Sequence, residues 1–404
     1  MDSVAEWNGL ALTAVRLLRA SDADAARLYA MVNVAIYDAV NGVEDQHSAR
    51  EPALVPGPGP RQADPRAAAV AAAHAVLVGL DGARAADYDR QLAADLDRLR
   101  PGGRRDAGVA WGDSVGQRVL AARADDGSTP VETQPAGTGP GVFPSAWSGV
   151  QYRNLRPFAV ADPSAYVLGP PPALTSLDYA AAFAEVQLLG NAAIPAPDKL
   201  ATFQFWAVPT GTAQPPGEWL KIAITVATGH STDLADGARL LARLTMAMSD
   251  NTIATVGTKY AHVHWRPTTA IRQADTDDNP LTVADPTWAA RVGSAGSTPE
   301  WISGHSSYSS TAATVLVGFF CADRIPFAVT TDSAPGGASR SYPSFSAAAA
   351  EAGRSRVFGG QHFSGEISIA ASAMRFAVSV TRASRDESIQ PWTEAFPAVR
   401  YSTA

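Results

Sequence analysis

The residues of this 404-residue chain that could do chemistry fall into three clusters in its second half. The first is Lys259-Tyr260-Ala261-His262-Val263-His264-Trp265-Arg266-Pro267. If one helix runs through it, Lys259 and Arg266 share a face about 10.5 Å apart along the axis. Long side chains can converge on one anion from that separation. Pro267 then ends or bends the helix and aims Arg266 into a cavity. The bland account is a solvated helix end whose cations complement the dipole. The second cluster, Trp301-Ile302-Ser303-Gly304-His305-Ser306-Ser307, precedes an apolar helical run. A helix N-terminus offers unpaired N–H groups to an anion, and glycine lets the backbone come close. Ser303 adds a hydroxyl donor, and His305 can give or take a proton near neutral pH. A plain serine cap beside a surface histidine explains the same letters. The third cluster runs Ser355-Arg356-Val357-Phe358-Gly359-Gly360-Gln361-His362-Phe363-Ser364-Gly365-Glu366. Arg356 offers a planar fork suited to an oxyanion. On a helix, Glu366 can hold one imidazole nitrogen of His362, leaving the other as a nucleophile or metal ligand. A surface i,i+4 pair is the alternative. Each cluster is weak alone. Together they are far more specific than separately.

The order Lys-x6-Arg-Pro, Ser-Gly-His, Ser-Arg-x5-His-x3-acid resembles the signature of the type 2 phosphatidic acid phosphatase superfamily, which includes the vanadium-dependent haloperoxidases. Glu6-Trp7-Asn8, Tyr37-Asp38-Ala39-Val40-Asn41 and Gly169-Pro170-Pro171-Pro172-Ala173-Leu174-Thr175-Ser176 look like the soluble bacterial haloperoxidase branch. So do His264-Trp265-Arg266-Pro267-Thr268-Thr269-Ala270-Ile271 and Gly359-Gly360-Gln361-His362-Phe363, and the similarity covers almost the whole chain.

The resemblance implies a vanadate cofactor, with phosphate able to occupy the same site. Lys259, Arg266, Ser303, the Gly304 N–H and Arg356 would hold its equatorial oxygens, and His362 would bond vanadium axially. His305 would serve as acid–base, Lys259 would polarise bound peroxide, and Glu366 would orient His362. The implied partners are hydrogen peroxide, a halide and a small organic substrate, with a homodimer implied by resemblance alone. The alternative is a soluble acid phosphatase in which His362 forms a phosphohistidine. Phosphate and vanadate have similar shapes, so these residues do not separate the two. Glu366 stands where the family usually has Asp. By ungapped spacing, Val256 and Thr298 occupy positions that differ among chloro- and bromoperoxidases, so halide preference does not carry over. His262 and His264 point to different helix faces and read as packing residues. His47, His74 and His230 read as structural.

The rest of the chain must position these clusters. Apolar residues make up 46% and charged residues 18%, a globular balance. A net charge of −7 argues against nucleic acid and anionic membrane as partners. The single cysteine, Cys321, excludes an internal disulfide and a thiolate-rich metal site. No apolar run reaches the length that spans a bilayer. With no signal peptide visible, a cytoplasmic location is expected, or secretion if the start is trimmed. Apolar periodicity predicts helices over 4–18, 25–43, 67–80, 85–99 and 104–124, then from Ser176 to Leu189 and over 233–261, 304–321, 344–353 and 362–379. Phe327 to Thr331 reads as a weak strand. Residues 52–65 read as a linker. Residues 126–175 are broken by prolines yet rich in aromatics, which predicts a long ordered loop. The expected fold is mainly α, one helical-bundle domain over 1–404. Within it, 1–125 form an N-terminal helical half, 126–230 the loop and connecting helices, and 231–404 the catalytic half.

Overall fold

The computed structural model describes residues 2–43, 53–55 and 57–364. His47, Glu366, most of the expected 362–379 helix and part of the expected 52–65 linker lie outside those residues.

Helices α1 (Asp2–Leu18), α2 (Asp22–Val43), α3 (Pro65–Leu80), α4 (Ala85–Asp97) and α5 (Gly103–Ala122) build the first half. The second half carries α6 (Leu177–Leu189), α7 (Pro197–Trp206), α8 (Gln214–Gly229), α9 (Leu234–His262), α10 (Pro267–Arg272), α11 (Gly304–Phe320) and α12 (Phe345–Phe358). Two small antiparallel ribbons pair β1 (Thr133–Gln134) with β2 (Trp147–Ser148), and β3 (Phe327–Val329) with β4 (Arg340–Tyr342).

The core is centred on α2, which is buried along most of its length and packs against α3, α5, α8 and α9. A helix with so little face towards water is mostly apolar, and its buried polar groups are paired. Asn33 and Asn8 of α1 exchange amide hydrogen bonds at 2.8 and 3.0 Å, and Asp38 accepts from the N–H groups of Ala53, Leu54 and Val55. Helices α3 and α5 meet closely because Gly112 has no Cβ, which would run into the Ala68 carbonyl. Asp64 caps α3 by accepting from the Arg66 and Ala67 N–H groups, and Asp233 caps α9 through the Asp236 N–H. A smaller apolar cluster of Tyr179, Phe183, Val186, Trp265, Ile271, Trp288, Val357 and Phe363 underlies the three sequence clusters.

The segment 126–175 is an ordered clasp over the end of α9. Asp250 accepts from the N–H groups of Phe158, Ala159 and Val160 at 2.6, 2.8 and 3.0 Å. The fully buried Arg123 pairs with Asp126 and donates to the carbonyls of Arg156 and Pro157. Farther on, the Phe143 N–H donates to Val263 O at 2.7 Å and the Trp265 N–H to Gly141 O at 2.9 Å.

One expectation is corrected here. Lys259 and Arg266 do not share a continuous helix. Helix α9 ends at His262, Val263 adopts the left-handed conformation at φ 46°, and Arg266 is the residue that precedes α10. Pro267 opens that new helix instead of ending the old one, as its fixed φ and missing N–H allow. The reversal between the helices replaces helical periodicity as the device that turns Arg266 inward.

Candidate active site

Lys259 sits in the last turn of α9, and its ammonium donates to the carbonyls of Pro299 and, at 3.3 Å, of Glu300. Arg266 donates through Nε to Thr298 O at 2.7 Å and through Nη2 to Thr298 Oγ1 at 3.2 Å. Its Nη1 donates to Gln361 O at 2.9 Å and meets His362 Nε2 at 2.7 Å. Arg356, in the last turn of α12, donates to Gln361 Oε1 and stacks its guanidinium 4.8 Å above the Phe203 ring. All three cations are only 5–6% exposed, as is His362 at 5%. Three cations gathered at one buried place offer charged donors in the arrangement that favours an anion.

His362 is reached by a tight turn after α12. Gly360 takes φ 77°, and a Cβ there would come within 2.7 Å of Gly190 O. Gln361 then folds back, its N–H donating to Arg356 O at 3.0 Å while its own carbonyl holds Arg266. The second cluster supplies the N-terminus of α11. Ser303 is its cap, accepting from the Ser306 N–H, and Gly304 and His305 occupy the first turn. His305 Nε2 lies 3.1 Å from Ala207 O, just past α7.

Electrostatics tie the clusters together. Burial pushes the His362 imidazole well below its usual range, and the charges of Arg266, Lys259 and Arg356 push it further the same way. Burial does the same to His305, followed by the charge of Arg356 and then, less strongly, that of Arg266. Two neutral imidazoles therefore face a common group of cations. The expected residues Lys259, Arg266, Ser303, Gly304, His305, Arg356 and His362 come from three separate elements and their flanking turns, and the structure brings them to one place. Glu366 lies outside the described residues. His262 binds Leu168 O at 2.8 Å through Nε2, and the buried His264, pushed down to about 4 by burial, packs against Tyr179 and Phe363. Neither enters the cation group. His74 bonds Asp89, and His230 packs on Phe320.

Four further residues join the site: the sequence reading named Thr298 only by its position and Gln361 only within the third cluster, and it missed Glu300 and Asp22. Glu300 is fully buried, and its Oε1 lies 3.3 Å from His362 Nδ1. Gln361 bridges Arg356 and Arg266. Thr298 holds Arg266 twice. Asp22, at the start of α2, places Oδ2 3.2 Å from where a Gly304 Cβ would stand. Its carboxyl is raised by burial and lowered in part by the Lys259 charge. Gln361 was legible as a neighbour of His362 in the third cluster. No local signal pointed to Asp22, which arrives from the far end of the chain.

Residues 239–385 match a family model described as the VCPO second helical-bundle domain. The chain superposes on a bacterial vanadium-dependent iodoperoxidase with a TM-score of 0.79 and 22% identity, covering 94% of this chain and 95% of that one. This is the vanadium haloperoxidase fold. A holo-type bacterial vanadium-dependent chloroperoxidase shares the vanadium haloperoxidase fold too, at a TM-score of 0.68 and 16% identity over 91% of this chain and 94% of that one. The apo-type chloroperoxidase superposes at 0.64 with 16% identity, over 89% and 93% of the two chains. No curated relative matches the sequence. The matched span of the fold contains all three clusters.

Proposed function

We propose that the chain is a vanadate-dependent haloperoxidase, which uses hydrogen peroxide to oxidise a halide to a hypohalous acid equivalent that halogenates a small organic substrate. The observation that carries this reading is the convergence of the buried Lys259, Arg266 and Arg356 on the two neutral imidazoles of His305 and His362. The donor set fits vanadate: three fixed cations, a helix N-terminus at Ser303–Gly304, and an imidazole nitrogen directed at the cations. Phosphate has the same shape and would fit the same donors.

Vanadate, when bound, supplies a Lewis-acidic centre that activates peroxide without changing its own oxidation state. The chain's residues do the rest. Lys259, Arg266, Arg356, Ser303 and the Gly304 N–H would hold the anion's oxygens, and His362 Nε2 would be the nitrogen that binds the metal. His305 Nε2 faces the Ala207 carbonyl, so that nitrogen carries the proton and Nδ1 is the atom that accepts one. With vanadate held by the site, Nδ1 would be the atom to accept a proton from peroxide and give it back to the product. Lys259, anchored on two backbone carbonyls, keeps its ammonium fixed to stabilise negative charge on the peroxide oxygen.

No single helix among the described residues is long and apolar enough to cross a membrane. A homodimer belongs to the same proposal and rests on resemblance. The test uses metal-free protein supplied with orthovanadate, peroxide and iodide, bromide or chloride in turn, with a dye that records halogenation. A parallel sample receives p-nitrophenyl phosphate without vanadate. Halogenation that depends on vanadate supports the reading. Phosphate release that vanadate inhibits, with no halide oxidised, replaces it with the phosphatase.

A further inference from the structure

We propose that Glu300 is the positioning residue of this site, fixing His362 through its carboxylate and Lys259 through its carbonyl. Calling His362 a cofactor ligand rests on the haloperoxidase reading. The arrangement of Glu300 does not.

Glu300 is fully buried and held at several points. Its N–H donates to His264 O at 2.9 Å, and its Oε1 accepts from the Phe363 N–H at 2.9 Å. The carboxylate is thus tied to the residue that follows His362, and Oε1 stands 3.3 Å from His362 Nδ1. On the far side of the ring, Nε2 lies 2.7 Å from Arg266 Nη1. A guanidinium in a protein always carries its protons and can only donate. Nε2 therefore accepts, and the single proton of the imidazole sits on Nδ1, the nitrogen that stands 3.3 Å from the Glu300 carboxylate. A carboxylate behind a ligating histidine fixes its tautomer and ring orientation and raises its basicity. The Glu300 carbonyl meanwhile accepts from Lys259 Nζ at 3.3 Å. One residue, next to the Trp301 that opens the second cluster, thus joins the first cluster to the third.

The experiment is nitrogen-15 NMR of the histidine rings in metal-free protein near neutral pH, with His362 assigned by its loss in His362→Ala. The wild type is expected to show protonated Nδ1 and bare Nε2. A wild-type ring protonated on Nε2 overturns the proposal without any variant. Glu300→Ala is expected to move His362 to a mixture of tautomers and to weaken inorganic phosphate binding about tenfold, in line with losses seen when such supporting groups are removed. Glu300→Gln keeps a carbonyl acceptor and is expected to restore the Nδ1 tautomer and most of the affinity. A folded Glu300→Ala protein with unchanged tautomer and affinity contradicts the assignment. So does a tautomer that moves in Glu366→Ala and not in Glu300→Ala. If the alanine variant does not fold, Glu300→Asp, whose shorter side chain withdraws the oxygen, must shift the tautomer instead. Because the ring measurement needs no vanadate, it can succeed where the halogenation assay fails, and the reverse.

Discussion

Arg266 Nη1 meets His362 Nε2 at 2.7 Å, so the nitrogen that would bind a cofactor already faces a permanent cation. An oxyanion placed among these side chains exchanges a cation–imidazole contact for a cation–anion one. The site is built to gain from that exchange, because Lys259, Arg266 and Arg356 are buried and hold their positions on backbone carbonyls, Thr298 and Gln361.

Removing Arg266 should therefore cost affinity without unfolding the protein. Charge-assisted hydrogen bonds are worth about 1.5–3 kcal/mol each, which is on the order of 10- to 150-fold in binding. Calorimetric titration of metal-free Arg266→Ala with orthovanadate should show a loss in that range. Arg266→Lys should recover little, since a lysine cannot span Thr298, Gln361 and an anion as the planar fork does. Full affinity in Arg266→Ala would remove this residue from the site.

Anion binding should take up protons. His305 and His362 are held neutral by burial and by neighbouring cations, and a bound anion favours their charged forms. Asp22, already raised by burial, is pushed further up by the same anion. All these effects have one sign, so affinity should rise as pH falls below neutrality. Sulfate, which does not titrate there, is the probe, and titration in buffers of different ionisation enthalpy counts the protons. His305→Ala and Asp22→Asn should each reduce the uptake. Uptake that neither variant changes would contradict the assignment. Folding stability reads the same shifts less cleanly. A histidine depressed in the fold loses stabilisation as pH drops through about 6.5, where the unfolded chain takes up the proton. Asp38 and Asp250, raised to about 6 by burial, gain it over a similar span.

Asp250→Ala should loosen the clasp. Its carboxylate receives the N–H groups of Phe158, Ala159 and Val160, which would be left buried without it. At about 1–3 kcal/mol for each buried donor stranded, a loss of roughly 3 kcal/mol is expected in urea unfolding. Protease cleavage within 126–175 should rise in parallel. Unchanged stability would mean that the loop is held elsewhere.

Gly360→Ala should damage the site from outside it. The position needs φ 77°, and the added Cβ would press on Gly190 O and on Ala290 Cα, 3.0 Å away. A lower melting temperature is expected, with weaker phosphate binding because Gln361 and His362 follow directly. Normal binding in a destabilised variant would show that the turn does not set the His362 position.

Much of this was legible in the sequence. Ser176, Asp233 and Ser303 were read as helix starts or turn residues, and each caps a helix in the structure. The aromatic-rich proline segment was readable as ordered, since Phe143, Trp147 and Tyr152 need a place to be buried. The break between His262 and Arg266 was not, because nothing in Val263 announces a left-handed residue. Helices α7, α8 and α10 begin at or beside prolines, which mask helical periodicity. Within the site, cations and histidines declare themselves by type and spacing. Glu300 and Asp22 do not, because a carboxylate becomes informative only when folding buries it beside an imidazole or a lysine.

The most direct test is halogenation of a dye by the metal-free protein as orthovanadate is added, with peroxide and each halide in turn. The account requires activity that appears with vanadate, saturates, is displaced by phosphate, and is lost in His362→Ala. Halogenation that ignores vanadate, or that survives in folded His362→Ala, would contradict it.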